Sequence, residues 1–131
     1  MVNAGGVIRA SDITVQACRV MRTAAQSITD NTVTIVAFDD EIFDTDGMHS
    51  TVTNNSRITI QTAGIYTIGF NGMFAGAADY NRCFAILIVN GATEIGRSAL
   101  QAPVVSTTPQ MDVSTVYQLD AADYVEVQVL Q

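Results

Sequence analysis

Asp44-Thr45-Asp46-Gly47-Met48-His49, Asn54-Asn55-Ser56-Arg57 and Ala63-Gly64-Ile65-Tyr66 follow one another through the middle of the chain. These groups are rich in Asp, Asn, Ser and Gly, residues that bend a backbone through side-chain bonds to it or through positive φ. Between and beyond them the polarity alternates with a period of two. Arg57 to Gln61 puts Ile58 and Ile60 on one face and Arg57, Thr59 and Gln61 on the other, the pattern of a strand with one wet side. Ala63-Gly64 then turns the chain into Ile65 to Ala75, where Tyr66, Ile68, Phe70 and Phe74 share a face.

Outward from this centre the same signals recur. Thr32 to Phe38 is rich in β-branched residues and reads as a strand. Asn90-Gly91 is a tight-turn dipeptide directly after the strand Cys83 to Val89. Asp112 to Leu119, a turn at Asp120-Ala121-Ala122-Asp123, and Tyr124 to Leu130, with Val125, Val127 and Val129 on one side, close the chain. Pro103 and Pro109 bracket Val104 to Thr108 as a loop. Helical periodicity is absent, and strands with turn signals about every ten residues predict an all-β fold, an antiparallel sandwich or jelly roll. Residues 1–14 carry Gly5-Gly6 and little periodicity, so they read as an N-terminal arm before a single domain over 15–131.

One strand departs from alternation. Cys83-Phe84-Ala85-Ile86-Leu87-Ile88-Val89 is apolar on both faces, whereas a sandwich strand shows one face to water. Either the loop around Pro103, the preferred reading, or a neighbouring subunit must cover its outer side.

The chain of 131 residues has room for one domain with a real core. Apolar residues make up 48% and charged ones 15%, a globular composition with a surface poor in charge, part of which another subunit would cover. The net charge is -7, and the six positive residues are all arginine. Such a chain is repelled by phosphate backbones and anionic membranes, so neither nucleic acid nor membrane is an expected partner. Arginine without lysine suits interface ion pairs, or reflects drift in composition. No run nears the roughly 18 apolar residues of a membrane span, and Met1 to Asp12 has no signal-peptide core. The chain is therefore expected in a reducing cytoplasm during assembly, and the formal glycosylation sequon at Asn54-Asn55-Ser56 carries no weight. Cys18 and Cys83 fit neither a redox motif nor a metal ladder and read as free, buried thiols.

Catalytic chemistry is hard to find. The single histidine, His49, lies in a turn-rich acidic stretch, and there is no G-x-S-x-G, P-loop or H-E-x-x-H motif. No catalytic residue is assigned, and the chain is not expected to be an enzyme. Asp39, Asp40, Glu41, Asp44 and Asp46 offer the hard oxygen ligands of calcium, but the remaining positions of a calcium loop are missing. They read as a solvated acidic loop, with no metal and no cofactor.

Taken together and in order, several short motifs resemble the globular head of complement C1q and its tumour-necrosis-factor-like relatives, in the form found in tailed-phage structural proteins. The carriers are Cys18-Arg19-Val20, Gln26-Ser27-Ile28, Phe43 to His49, Asn55-Ser56-Arg57-Ile58-Thr59, Ala63-Gly64-Ile65-Tyr66, Val89-Asn90-Gly91, Val116-Tyr117-Gln118-Leu119 and Asp123 to Val127, covering about residues 17–130. The resemblance implies a ten-stranded jelly roll that forms a homotrimer through the outer face of one sheet. Tyr66, Phe70, Phe74 and Tyr117 are candidate trimer contacts on this view, with core positions as the other reading of the first three. Family members usually continue into one further strand inserted in the trimer-forming sheet. Here either the neighbouring strands close together or another segment fills the place, with Val7-Ile8-Arg9 a candidate. Gly5 to Asp12 also looks like a stretch common near the start of phage fibre and appendage proteins.

The expected function is that of a phage virion structural protein, a trimeric decoration or cement subunit on the capsid exterior, with the major capsid protein as partner and Val7, Ile8 and Arg9 contacting the shell or a neighbour. The alternative is a carbohydrate- or receptor-binding module of a fibre or tail tip, with a glycan as partner. A calcium-dependent secreted adhesin is a third possibility, set aside for want of a signal peptide.

Overall fold

A computed structural model describes residues 14–75, 82–101 and 108–131. Among these residues there is no helix, and the strands in chain order are β1 (Cys18–Met21), β2 (Thr34–Ile35), β3 (Asp40–Asp44), β4 (Ile58–Thr59), β5 (Gly64–Met73), β6 (Cys83–Val89), β7 (Thr93–Leu100), β8 (Gln110–Leu119) and β9 (Tyr124–Leu130). Each pairing is antiparallel. The larger sheet has the order β2-β9-β6-β7, with β4 also on β9, while β5 pairs with β8 and β1 with β3. The fold is all-β and antiparallel, consistent with a β-sandwich.

Alternation decides the layering. β5 shows half-buried and exposed residues in strict turn, so Tyr66, Ile68 and Phe70 point inward while Ile65, Thr67, Gly69, Asn71 and Met73 point out. Its partner β8 turns Met111, Val113 and Leu119 the same inward way. These side chains meet Cys83, Ala85 and Leu87 of β6 and Val127 and Val129 of β9, and the two inner faces form one core that also holds Phe38 and Phe74. A second cluster packs Met48, Ile60, Val89, Leu119 and Val125 together, with Tyr66 against it. Burying each such side chain contributes roughly 1.5–3 kcal/mol, which makes this two-layer packing the main source of stability.

The turn signals do what their chemistry allows. Asn90 and Gly91 both have positive φ, 53° and 67°, and the Ala92 amide donates to the Val89 carbonyl at 3.0 Å, closing the β6-β7 hairpin. A Cβ on Gly91 would come within 3.3 Å of the Tyr124 hydroxyl, so both φ and space favour glycine.

Three expectations change. The acidic stretch is not a loop throughout, because Asp40–Asp44 is strand β3, laddered to β1 with a bulge between Arg19 and Val20. Thr32 to Phe38 shortens to the two-residue β2: Val36 still donates to the Val127 carbonyl, but by Phe38 the chain has crossed to the Asn55 carbonyl. β7 was not expected from its mixed Thr-Glu-Ile-Gly-Arg-Ser sequence, although a tight turn after β6 requires a return strand.

On the outer side of β6, arginine covers Phe84. Phe84 has the Arg82 guanidinium 4.9 Å and the Arg97 guanidinium 5.3 Å from its ring centroid. Long arginine stems shield apolar surface while their heads stay wet, and the cation attracts the ring face. Most of the Pro103 loop, residues 102–107, lies outside the described residues.

Candidate functional site

The acidic stretch spends its carboxylates on the backbone. Asp44 accepts bonds from the Asp46 amide at 3.1 Å and the His49 amide at 2.9 Å, closing the turn that Gly47 enters with φ 66°. Asp39 accepts from the Thr23 amide at 2.8 Å and the Thr23 hydroxyl at 3.1 Å, and that amide is the main reason its carboxyl lies below the usual range. His49 is sealed in, with Nδ1 3.4 Å from a Glu41 carboxylate oxygen, Nε2 3.2 Å from the Asn55 carbonyl oxygen, and no exposed side-chain surface. A base must reach the proton that it abstracts, so this ring has no route to a substrate. Among the described residues no group of three or more His, Cys, Asp or Glu gathers to hold a metal.

Both cysteines are free. Cys83 is buried, and burial pushes its thiol up. Cys18 is half-buried, and its thiol is pushed up to about 12 by burial first and then by the charges of Asp44 and Glu41. A thiol held protonated is a poor nucleophile, which removes the other plausible reactive group.

A polar network sits on the outer side of β9. Glu126 is 4% exposed and accepts from the Ser56 hydroxyl at 2.9 Å and from Arg57 Nε at 3.0 Å. The Arg57 guanidinium also stacks 4.1 Å over the Tyr124 ring. β4 lies beside β9, with Ile58 opposite Val125 and Thr59 opposite Tyr124, which brings this arginine to the carboxylate. Sequence reading missed the pair, since Glu126 occupies an ordinary outward position in an alternating strand.

Among the described residues, the outer face of β5 and β8 exposes several apolar side chains. The register sets Ile65 against Gln118, Thr67 against Val116, Gly69 against Ser114, Asn71 against Asp112 and Met73 against Gln110. Ile65, Val116 and Met73 are 75%, 64% and 63% exposed, and Asp112 is the one charged residue among these positions. A face with apolar and neutral polar groups and little charge has the composition of an interface centre.

The aromatic candidates lie on the opposite side of that sheet. Tyr66 and Phe70 are half-buried against the core, and Phe74 is buried in it. Tyr66 donates its hydroxyl to the Thr62 carbonyl at 2.5 Å, and burial, then the Asp46 charge, pushes its phenol up. Phe70 folds over Gly72, where a Cβ would meet its ring at 2.6 Å. Tyr117 is in register with Tyr66 and partly exposed. Val7, Ile8 and Arg9 lie outside the described residues. The exposed trio of Ile65, Met73 and Val116 was legible only as the off-phase of the pattern, diluted by threonine, glycine and asparagine. No protein-family model matches this sequence, and no curated protein matches it significantly.

Proposed function

We propose that this chain is a binding and assembly protein with a jelly roll of the complement C1q and tumour-necrosis-factor-like kind, acting as a homotrimeric decoration subunit on the outer shell of a phage capsid. The observation that carries this reading is the outer face of β5 and β8, where Ile65, Met73 and Val116 stand in water with almost no charge around them. A second copy packed there removes that apolar area from solvent, and closed symmetry makes the same patch serve each subunit. The resemblance of the ordered motifs to those of phage structural proteins suggests the virion setting, and His49, closed off from solvent, favours assembly over catalysis. On a capsid, three copies bound together would grip the major capsid protein through many weak contacts and stabilise the shell by multivalency.

Light scattering tests the assembly step, with a mass three times the 14.0 kDa chain expected at micromolar concentration. A monomer mass would remove the basis of the proposal. Mass spectrometry of purified capsids stripped of tails tests the location. Absence from the heads together with strong, selective glycan-array binding would favour a receptor-binding module at a fibre or tail tip instead.

A further inference from the structure

The chain contains the dipeptides Asn71-Gly72 and Asn90-Gly91. Asparagine is a heat-labile residue, and a following glycine, with no side chain to hinder it, leaves its amide nitrogen open to attack the asparagine side chain. In that reaction the glycine nitrogen gives its proton to water and bonds to Cγ of asparagine, the Cγ–Nδ2 bond breaks, and ammonia leaves. A five-membered imide remains. One water then opens it, so the balance is amide plus water to carboxylic acid plus ammonia, with nothing oxidised or reduced. Opening at one carbonyl gives aspartate, and at the other isoaspartate, which adds a methylene to the main chain.

The fold restrains the two pairs by different means. Asn71 and Gly72 lie within β5, opposite Asp112 and Met111 of β8. The Phe74 amide donates to the Pro109 carbonyl at 2.9 Å, one pair beyond Met73 and Gln110 in the same register. Every second residue of an antiparallel strand gives its N–H to the same neighbour, so the Gly72 amide also donates to β8, opposite Met111. The attacking nitrogen of this pair is thus held in a ladder of ten residues. Its release requires the sheet to open, which is among the rarer fluctuations of a fold.

At Asn90-Gly91 the restraint lies on the other reacting group. The backbone bonds of this turn are donated by Asn90, to the Tyr124 carbonyl at 2.9 Å, and by Ala92, to the Val89 carbonyl at 3.0 Å, and not by Gly91. The Asn90 side chain is what is tied. Its Nδ2 donates to an Asp123 carboxylate oxygen at 2.8 Å, and its Oδ1 accepts from the Tyr124 amide at 3.0 Å. Ring closure swings Cγ toward the Gly91 nitrogen and breaks both bonds. Both are exposed, where water takes over from a lost partner, so this release is local and leaves the ladders intact.

We propose that Asn90 is the deamidation site of the folded chain, in preference to Asn71, and that its conversion cuts the tie between the β6-β7 and β8-β9 turns. The new carboxylate stands where the amide donated, against the Asp123 carboxylate, and like charges so close disfavour each other's ionised form. Aspartate tolerates the φ of 53° at this position, so the turn persists while its tie changes from attraction to repulsion. Isoaspartate lengthens a two-residue turn whose positive φ values match the twist of the flanking strands, and does not fit it. Either product adds one negative charge to a chain already at -7. Asn90 and Asp123 lie outside β5 and β8, so the inference stands apart from the reading of that face as an interface.

Peptide mapping by mass spectrometry tests it, on the full chain aged in warm, mildly alkaline buffer with and without urea. In buffer, conversion at Asn90 should be about tenfold or more faster than at Asn71, and in urea the two rates should be comparable. Conversion at Asn71 as fast as at Asn90 in buffer would overturn the proposal. So would an intact Asn90 in a sample aged well past the point at which the chain in urea has fully converted. Asp123→Ala removes the carboxylate that holds the amide, and should speed conversion at Asn90 severalfold while leaving Asn71 unchanged. An unchanged Asn90 rate in the folded variant counts against the proposal, and if the variant does not fold the parent comparison decides. Asn90→Asp supplies the product directly. An NMR titration should place its Asp123 carboxyl higher than in the parent, because the donor that lowers it is gone and a like charge has taken its place. An unmoved Asp123 titration would show that conversion leaves the turns tied.

Discussion

At the scale of single residues, the Glu126 carboxylate is the group whose surroundings matter most. It is nearly sealed from water and relies on Arg57 and Ser56, so loss of Arg57 leaves a buried charge with one hydroxyl partner. Breaking a buried pair from one side costs about 3–5 kcal/mol, and the partly exposed arginine head argues for the lower end or less. Arg57→Ala should therefore destabilise the fold by about 2 kcal/mol in a denaturant titration, and Arg57→Ala combined with Glu126→Gln by less than Arg57→Ala alone. The thiols are a second case. Cys83 is enclosed and Cys18 faces two carboxylates, so both should react with a disulfide reagent at pH 7.5 at least tenfold more slowly in the folded chain than in urea. Comparable rates in the two states would show that neither thiol is protected.

At the scale of elements, turns hold the strands in register. The β8-β9 turn is tied by Asp123, which accepts from the Asn90 side-chain amide at 2.8 Å and the Asp120 amide at 2.9 Å while Tyr124 donates to Asn90. The Asn90 bond first, and the Asp120 amide second, hold the Asp123 carboxyl below the usual range. A carboxyl lowered on folding adds stability that is present above the ordinary aspartate value of about 3.9 and is lost as pH falls through the folded value. The contribution of this turn should thus fade as pH falls below the ordinary aspartate value and be fully present well above it. An NMR titration of the Asp123 carboxyl with a midpoint at or above 3.9 would contradict it. Inside β5, Gly72 leaves room for the Phe70 ring, so Gly72→Val should displace that ring and lower the melting temperature by several degrees. Calorimetry on this variant and on Gly69→Ala separates the ring contact from a general effect of replacing strand glycines, since a Cβ on Gly69 meets nothing closer than 3.8 Å.

At the scale of the whole molecule, the proposal of trimeric assembly turns on which face of the β5-β8 sheet is free. Val116→Asp sets a charge on the exposed face at a position that is 64% exposed and outside both core clusters. Light scattering should then show the monomer mass at concentrations where the parent chain is a trimer, with an unchanged circular dichroism spectrum. Much of this architecture was legible beforehand. Asn90-Gly91 marked the β6-β7 turn, Cys83 to Val89 and Tyr124 to Leu130 were bounded as they stand, and the inward set of Tyr66, Ile68, Phe70 and Phe74 was read as one face. Such features are local, because covalent geometry sends successive strand side chains to opposite sides and turn residues act over two or three positions. The all-β class, the alternating faces and most turn positions were therefore determined by the sequence alone. Tertiary structure alone decided that Asp40–Asp44 is a strand, that arginines cover Phe84, that Glu126 meets a residue 69 positions away, and that β5 pairs with β8. Each of these depends on partners brought together from distant parts of the chain, and a pattern with a period of two carries no record of which strand its neighbour will be.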